Sequence, residues 1–360
     1  MLAVDHKVDQ LRQILKEENK QGVLLTQQKN VSWLTGGRSF INVASEVAVA
    51  SVLITDESVT LVTNNIEKQR LLEEEMSDMC DKVEVFPWYT PEEREAWLNQ
   101  LMQQEIIVDT DWEKHLFPLR TVMDAKDLPQ IRHLGITAAE AIEATAFQLK
   151  RGQTEYEIAG LLAQHCLSRE IEPIVTLVAA DERVYTRRHP LPTSKKLDRY
   201  VMLVLCARRA GRIMSVTRLV HFGSPTQDLL QRHEAVALVD SHMIVNTTLG
   251  RPFSELFDIM KAAYTEVGFQ NEWQHHHQGG LSGYSTREAL LLPQSTHNVQ
   301  LHQVYAWNPS VPGAKSEDTI LVEDKGIPHL LTYTNQFPYE TFEVGRKEIK
   351  RPAILVRKAH

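Results

Sequence analysis

The sequence predicts an α/β domain over residues 1–120 followed by an α+β domain over residues 121–360. Three observations carry that expectation. The first third alternates short apolar runs with helical patterns, as a layered α/β unit does. Beyond it, two long amphipathic helices lead into strands, two more helices and further strands, an order that fits helices packed on curved antiparallel sheets. Finally, 360 residues are enough for each of two domains to bury its own core.

The elements follow in chain order. Residues 8–19 read as a helix with Leu11, Ile14 and Leu15 on one face. Residues 22–26, 47–54, 59–62 and 83–86 read as strands, the middle pair flanking a turn at Asp56-Glu57. Helical patterns cover 64–75 and 91–104, the second with Pro91 where the first turn tolerates it, and 106–108 supplies a last strand. The domain boundary falls between Thr110 and Pro129. Helices are expected over 129–148 and 155–168, and strands over 174–178, 201–207 and 213–221. Helices return over 227–241 and 252–267, with strand-like segments around Val304 and Ile320.

Composition removes several classes of function. Apolar content of 42% and charged content of 24% place the chain among ordinary globular proteins. A formal charge of −8 argues against general nucleic-acid binding, which needs excess Lys and Arg to neutralise phosphate. Cys80, Cys166 and Cys206 are too scattered for a disulfide framework or a clustered thiolate metal site, so a reducing compartment is expected. No run approaches the roughly 18 apolar residues that a membrane helix needs. The N-terminus lacks the apolar centre of a signal peptide, so a cytoplasmic protein is expected, with neither nucleic acid nor membrane as partner.

The distribution of acids is the most informative local feature. From Arg199 through Gln227 there is no Asp or Glu, although Arg199, Arg208, Arg209, Arg212 and Arg218 lie there. From Ala289 through Ser316 acids are again missing, until Glu317 and Asp318 arrive.

Several segments carry a resemblance. Asn30-Val-Ser-Trp-Leu-Thr-Gly36 is similar to an N-domain signature in the creatinase, aminopeptidase P and prolidase family. Lys126, ahead of Ile131-Arg-His133, resembles the Lys that opens that family's catalytic domain. His189-Pro-Leu-Pro-Thr193 resembles the segment with an active-site His, and the segment from Gly211 to Arg218 a strand with the pattern Gly-Tyr-x-Ser-Asp-x-Thr-Arg. Trp307-Asn-Pro309 and Gly313-Ala-Lys-Ser-Glu-Asp-Thr319 are similar to "Glu-Pro-Gly" and "Gly-x-Arg-x-Glu-Asp". The order of these matches over most of the chain implies a creatinase-like N-domain on a C-terminal domain of the pita-bread fold.

The family's peptidases bind two divalent ions through two Asp, one His and two Glu. Matched on Thr217-Arg218, the two Asp positions hold Val204 and Ser215, and the first Glu falls on Asn308. The His ligand falls on His276 or on Gly280, depending on which glycine is matched; His276 is preferred because Arg287-Glu288-Ala289 then falls as a similar triplet does in creatinase. Only His276 and Glu317 remain as ligands, too few for a two-metal cluster, so a site with no metal or other cofactor is expected.

Creatinase hydrolyses a C–N bond without metal, so the resemblance still implies chemistry on a small molecule or short peptide. In that reading His189 transfers protons, Glu317 orients a partner imidazole such as His276 or holds a cationic group, and Arg218, Arg287 and Lys315 hold an anion. Asn308 and Tyr284 complete the substrate-binding set. Each has a blander account: a loop imidazole for His189, a structural ion pair for Arg218, surface acids for Glu317-Asp318. Ser215 and Thr217 read as structural, Trp273 and Trp307 as core. No Ser-His-Asp or Cys-His pattern supports Ser215, Cys206 or Tyr284 as a nucleophile. A non-catalytic binding module is the rival expectation, and a dinuclear Xaa-Pro peptidase a weaker third. The resemblance also implies a homodimer in which the 36–46 loop closes a neighbour's cleft.

Overall fold

The computed structural model describes residues 3–76, 79–323 and 328–358. The chain divides into two compact units, Met1–Arg120 with Ala210–Arg212, and Thr121–Arg209 with Ile213–His360.

The first unit contains α1 (Ala3–Glu17), β1 (Gly22–Gln27), α2 (Gln28–Thr35), β2 (Val47–Thr55), β3 (Val59–Asn64), α3 (Lys68–Arg70), β4 (Lys82–Phe86), α4 (Pro91–Met102), β5 (Ile106–Val108) and the start of α5 (Glu113–Thr121). Its sheet runs β4-β3-β2-β1-β5. β1 is antiparallel to β2, with Leu24 opposite Leu53, and parallel to β5, with Leu24 opposite Val108. Leu24 and Leu53 pack with Val62 and Leu101 on one side of the sheet. The helix expected over 64–75 is shorter than its apolar pattern. Asn64 Oδ1 accepts from the backbone N–H groups of Ile66 and Glu67, an Asx turn that delays the helix to Lys68. A π-helical turn over Leu71–Glu75 follows.

Asp109 ties the unit together and explains the signature segment. Its buried carboxylate accepts from the Thr26 and Gln27 N–H groups, from Thr26 Oγ1 and from Asn30 Nδ2. Asn30 Oδ1 in turn accepts from Arg120, which pairs with Glu113 at 2.6 Å. Asn30 is therefore a junction between α2, β1 and α5 rather than a surface residue.

The second unit opens with α6 (Leu128–Gln148) and α7 (Glu155–Leu167). α7 starts at a capping box, Thr154 accepting from Glu157 N–H at 3.1 Å while Glu157 accepts from Thr154 N–H. Then come β6 (Glu172–Ala180), α8 (Glu182–Thr186), β7 (Tyr200–Arg209), β8 (Arg212–Phe222), α9 (Gln227–Asn246), α10 (Phe253–Glu266), β9 (Gly279–Ser282) and β10 (Ala289–Leu290). The rest is strand: β11 (Val304–Trp307), β12 (Ser310–Val311), β13 (Ala314–Lys315), β14 (Asp318–Leu321), β15 (His329–Leu330), β16 (Tyr339–Val344), β17 (Lys347–Pro352) and β18 (Leu355–Arg357). One sheet runs β18-β8-β7-β6 and another β10-β9-β11-β14-β15, with β12-β13 and β16-β17 as hairpins. β8 is buried along its whole length and β7 along all but its last residue, which is why they read as continuous apolar runs without alternation. The two sheets are joined where Thr217 N–H donates to Glu317 O and Ser215 N–H to Thr319 Oγ1.

A buried ionic lattice fixes that junction. Arg218 donates Nε to Glu143, Nη1 to Asp318 and to Thr217 O, and Nη2 to Thr332 O and Tyr339 Oη. Asp318 also accepts from Arg351 at 2.7 Å, and Arg351 pairs with Asp240 at 2.6 Å. Every side chain in this lattice is buried except Tyr339, so α6, α9, β8, β14 and β17 are held in one register.

Candidate active site

His189 lies in the loop after α8, held to β6 because Val178 N–H donates to the carbonyl of the next residue, Pro190. His276 follows a short 3-10 turn, Glu272–His275, just before β9. Gln278 anchors this approach, donating to His276 O and accepting from Tyr264 Oη at 2.8 Å. The two imidazoles meet Nε2 to Nε2 at 3.1 Å. Behind them, His276 Nδ1 lies 3.2 Å from Ser310 Oγ, which also accepts from Arg188 at 3.1 Å. Arg188 is itself paired with Glu272. The ring of His277 stands 4.6 Å from that of His276 and 5.6 Å from that of His189, centre to centre.

β9 can reach this position only as glycine. A Cβ on Gly279 would sit 2.1 Å from Ala306 O, at a φ of +95° that side chains rarely adopt, and one on Gly280 would sit 2.0 Å from Ala289 O. Of the two positions weighed for a histidine ligand, Gly280 is thus a strand residue opposite Ala306 and Leu290, whereas His276 lies beside His189 and Ser310.

The β12–β13 hairpin links the imidazoles to an ionic cluster, since Ser310 pairs with Lys315. Lys315 Nζ donates to Glu317 at 2.8 Å, Arg287 to the same carboxylate at 3.1 Å, and Thr217 Oγ1 to it at 2.8 Å. Arg287 also donates to Ser215 Oγ at 3.2 Å, and Ser215 Oγ lies 3.4 Å from Cys206 Sγ. Two buried polar atoms here have no hydrogen-bond partner among the described residues: Asn308 Oδ1 and Arg287 Nε. One carboxylate therefore faces two cations in a buried cluster.

This field sets the protonation states. Burial alone would raise the carboxyl of Glu317, but Lys315 and Arg287 outweigh it and hold it down at about 2. Burial, reinforced by Lys315, His277, His189 and Arg188, pushes His276 far below the ordinary imidazole value. Burial and then Arg287 lower His277 to about 4. His189 is lowered by burial and Lys315, against the opposing pull of Glu317. Near neutral pH all three imidazoles are uncharged.

Measured against the sequence, the site gathers His189, His276, Arg287, Lys315, Glu317 and Asn308 in one region, with two corrections. Arg218 was expected to hold a substrate anion; all five of its N–H groups are engaged inside the protein. Glu317 was expected to orient an imidazole or to hold a cationic substrate group; it bonds the protein's own Lys315, Arg287 and Thr217, and Ser310 is the group behind His276. Tyr284 is buried, with its backbone N–H on Glu288. Ser310 and Arg188 were missed, although Arg188 directly precedes His189. Thr217 and Ser215, read as structural, touch Glu317 and Arg287.

The dinuclear centre implied by the fold does not fit these residues. Of the residues that the resemblance matches to carboxylate ligands, Val204 packs in an apolar cluster with Leu177, Met202 and Leu219, Ser215 accepts from Arg287, Asn308 offers an amide oxygen, and Glu317 already neutralises two cations. Two dications brought to Lys315 and Arg287 would meet repulsion in place of oxygen ligands.

Comparison with known proteins places the chain. Residues 7–128 match the creatinase/prolidase N-terminal domain, and residues 129–324 match metallopeptidase family M24. An uncharacterised peptidase of Staphylococcus haemolyticus is 24% identical over 235 residues, 62% of this chain and just under two thirds (66%) of that protein. A Xaa-Pro dipeptidase of Pyrococcus horikoshii is 21% identical over 348 residues, 91% of this chain and 97% of that protein. The crystal structure of X-Pro aminopeptidase from Thermotoga maritima superposes with a TM-score of 0.77 at 16% identity, covering 97% of this chain and 99% of that one. With both domain models matched in order across most of its length, the chain belongs to metallopeptidase family M24, carrying the creatinase/prolidase N-terminal domain.

Proposed function

We propose that the protein hydrolyses a C–N bond of a small amino-acid-like or peptide-like substrate bearing an anionic group, and does so without a dinuclear metal centre. The observation that carries this reading is the hydrogen-bonded line Ser310–His276–His189 beside a cluster in which two cations share one carboxylate. A buried cation without its own counter-charge is unfavourable by several kcal/mol, so the cluster favours a ligand that supplies the second negative charge. Arg287 Nε and Asn308 Oδ1, both without partners among the described residues, offer a donor and an acceptor to that ligand.

The imidazole pair supplies acid–base chemistry. An Nε2-to-Nε2 bond needs one ring to donate and the other to accept. When His189 donates, its Nδ1 is bare and acts as a base toward the attacking water; His276 then carries its proton on Nδ1, toward Ser310 Oγ. The water oxygen bonds to the carbon, the C–N bond breaks, and His189 Nδ1 passes the captured proton to the departing nitrogen. His276 and Ser310 hold the ring and share its positive charge while it exists.

The test is turnover by chelator-treated protein on a panel of N-acyl amino acids and dipeptides with free carboxylates. His189→Ala is expected to abolish turnover, and unchanged turnover would eliminate the assignment. Loss of turnover on chelation, restored by added Mn2+ or Co2+, would overturn metal independence. One observation favours a second reading, a non-catalytic binding module: Val204 is packed into the apolar core at the position that the resemblance matches to a metal-binding carboxylate of the family's peptidases. Saturable binding of the same panel without turnover would select that reading.

A further inference from the structure

We propose that His189, His276 and His277 form a site for a single transition-metal ion such as Zn2+ or Cu2+, sharing only His276 with the positions that the resemblance matches to dinuclear ligands, and that occupancy switches off proton transfer by His189. Each ring offers one nitrogen, and the three nitrogens lie within 4.8 Å of one another. The separation of His189 Nε2 from His276 Nε2 is 3.1 Å. Two nitrogens bound to tetrahedral zinc at 2.0–2.1 Å stand roughly 3.3 Å apart, so the shared proton can be exchanged for an ion with little movement. His276 is already oriented from behind, because its Nδ1 bonds Ser310 Oγ, which Arg188 holds. Such support behind a ligating imidazole fixes its direction and tautomer. Among the described residues the His277 ring accepts one long hydrogen bond, 3.3 Å from the Gly279 N–H, and although neighbours enclose part of the ring, the residue keeps enough exposed surface to turn toward the ion.

The neighbouring charges select the type of ion. Lys315, Arg287 and Arg188 outnumber Glu317 and Glu272 by one, which disfavours ions bound by charge alone. Imidazole nitrogens favour Zn2+ and Cu2+ over Mg2+ and Mn2+, which take oxygen ligands. An ion on both Nε2 atoms leaves each ring with its proton on Nδ1, so His189 has no lone pair for a substrate's water. The inhibitory part rests on the role given to His189 above; the site itself does not.

The experiment titrates the chelator-treated full-length chain with Zn2+ by calorimetry, and with Co2+ while recording visible absorption. One saturable Zn2+ site per chain and the intense bands of tetrahedral Co2+ are expected, with Mn2+ giving neither. His277→Gln, a change at an exposed ring, should weaken Zn2+ binding by on the order of tenfold or more while leaving the thermal melting curve in place. No saturable Zn2+ site, or affinity unchanged in His277→Gln, overturns the site. On the same sample, turnover that falls as the site fills supports the switch. Turnover that rises overturns both the switch and metal-independent hydrolysis while leaving the site standing.

Discussion

Glu317 shows what a single residue does here. Its sequence position suggests a surviving metal ligand, yet its carboxylate is the one anion between Lys315 and Arg287. Glu317→Gln leaves two cations buried without a counter-charge and is expected to destabilise the protein by about 3–5 kcal/mol, read as a lower urea midpoint. At His189 the expectation concerns pH. Because burial and Lys315 favour its neutral form, the base remains active to lower pH than an unperturbed imidazole allows. A kcat/KM profile should lose activity on acidification with a midpoint below 6.5, and a midpoint at or above that value would contradict the proposed base. The identities of His189, His276, Arg287 and Lys315 were legible in the sequence because residue type and motif spacing are local. The pairing of Glu317 with cations was not, because Thr217 lies 100 positions away and nothing in either segment announces the other.

The strand β9 is the element on which the site depends, since it carries the chain from the histidines into the sheet. Gly279 is opposite Trp307 and so close to β11 that any side chain collides with Ala306 O. Gly279→Ala should part β9 from β11, cost about 1–3 kcal/mol or more and displace His276, measured as a lower melting temperature together with reduced turnover. A variant with unchanged melting and turnover would refute that dependence. Elements with strong local signals matched their expectation: α7 has its capping box, and the strands β7 and β8 their apolar runs. Where local signals were weak or competing, the expectation failed. α2 and β16–β18 were not anticipated, and Asn64 held back a helix whose apolar spacing was adequate.

Across the whole molecule the buried charges govern the response to acid. His276 is neutral when folded but takes a proton in the unfolded chain near 6.5, so the unfolded state binds more protons and stability falls as pH drops below that value. Glu317, held at about 2 against an ordinary 4.5, adds a second loss as pH falls from 4.5 toward 2. Asp240 acts in the opposite sense: burial, opposed by Arg351, pushes it up to about 6, so its protonation favours the folded state as pH falls from 6 toward 3.8. Urea midpoints should therefore decline below pH 6.5, more gently between 6 and 4.5 and steeply below 4.5. A flat profile from pH 6.5 to 3 would contradict these assignments. Among the described residues, no helix is long and apolar enough to cross a membrane.

The sequence by itself determined the order of the elements, the resemblance to a family of two-domain hydrolases and the absence of Asp and Glu from residues 199–227 and 289–316. Each of these is written in local pattern: periodicity, residue type, and spacing along one strand. Only the tertiary structure decided that Arg218 belongs to a buried lattice, that Ser310 stands behind His276, and that three imidazoles converge. Those facts come from packing segments that are distant along the chain, where burial makes an unpaired charge or an unbonded imidazole so unfavourable that the fold itself selects the partner.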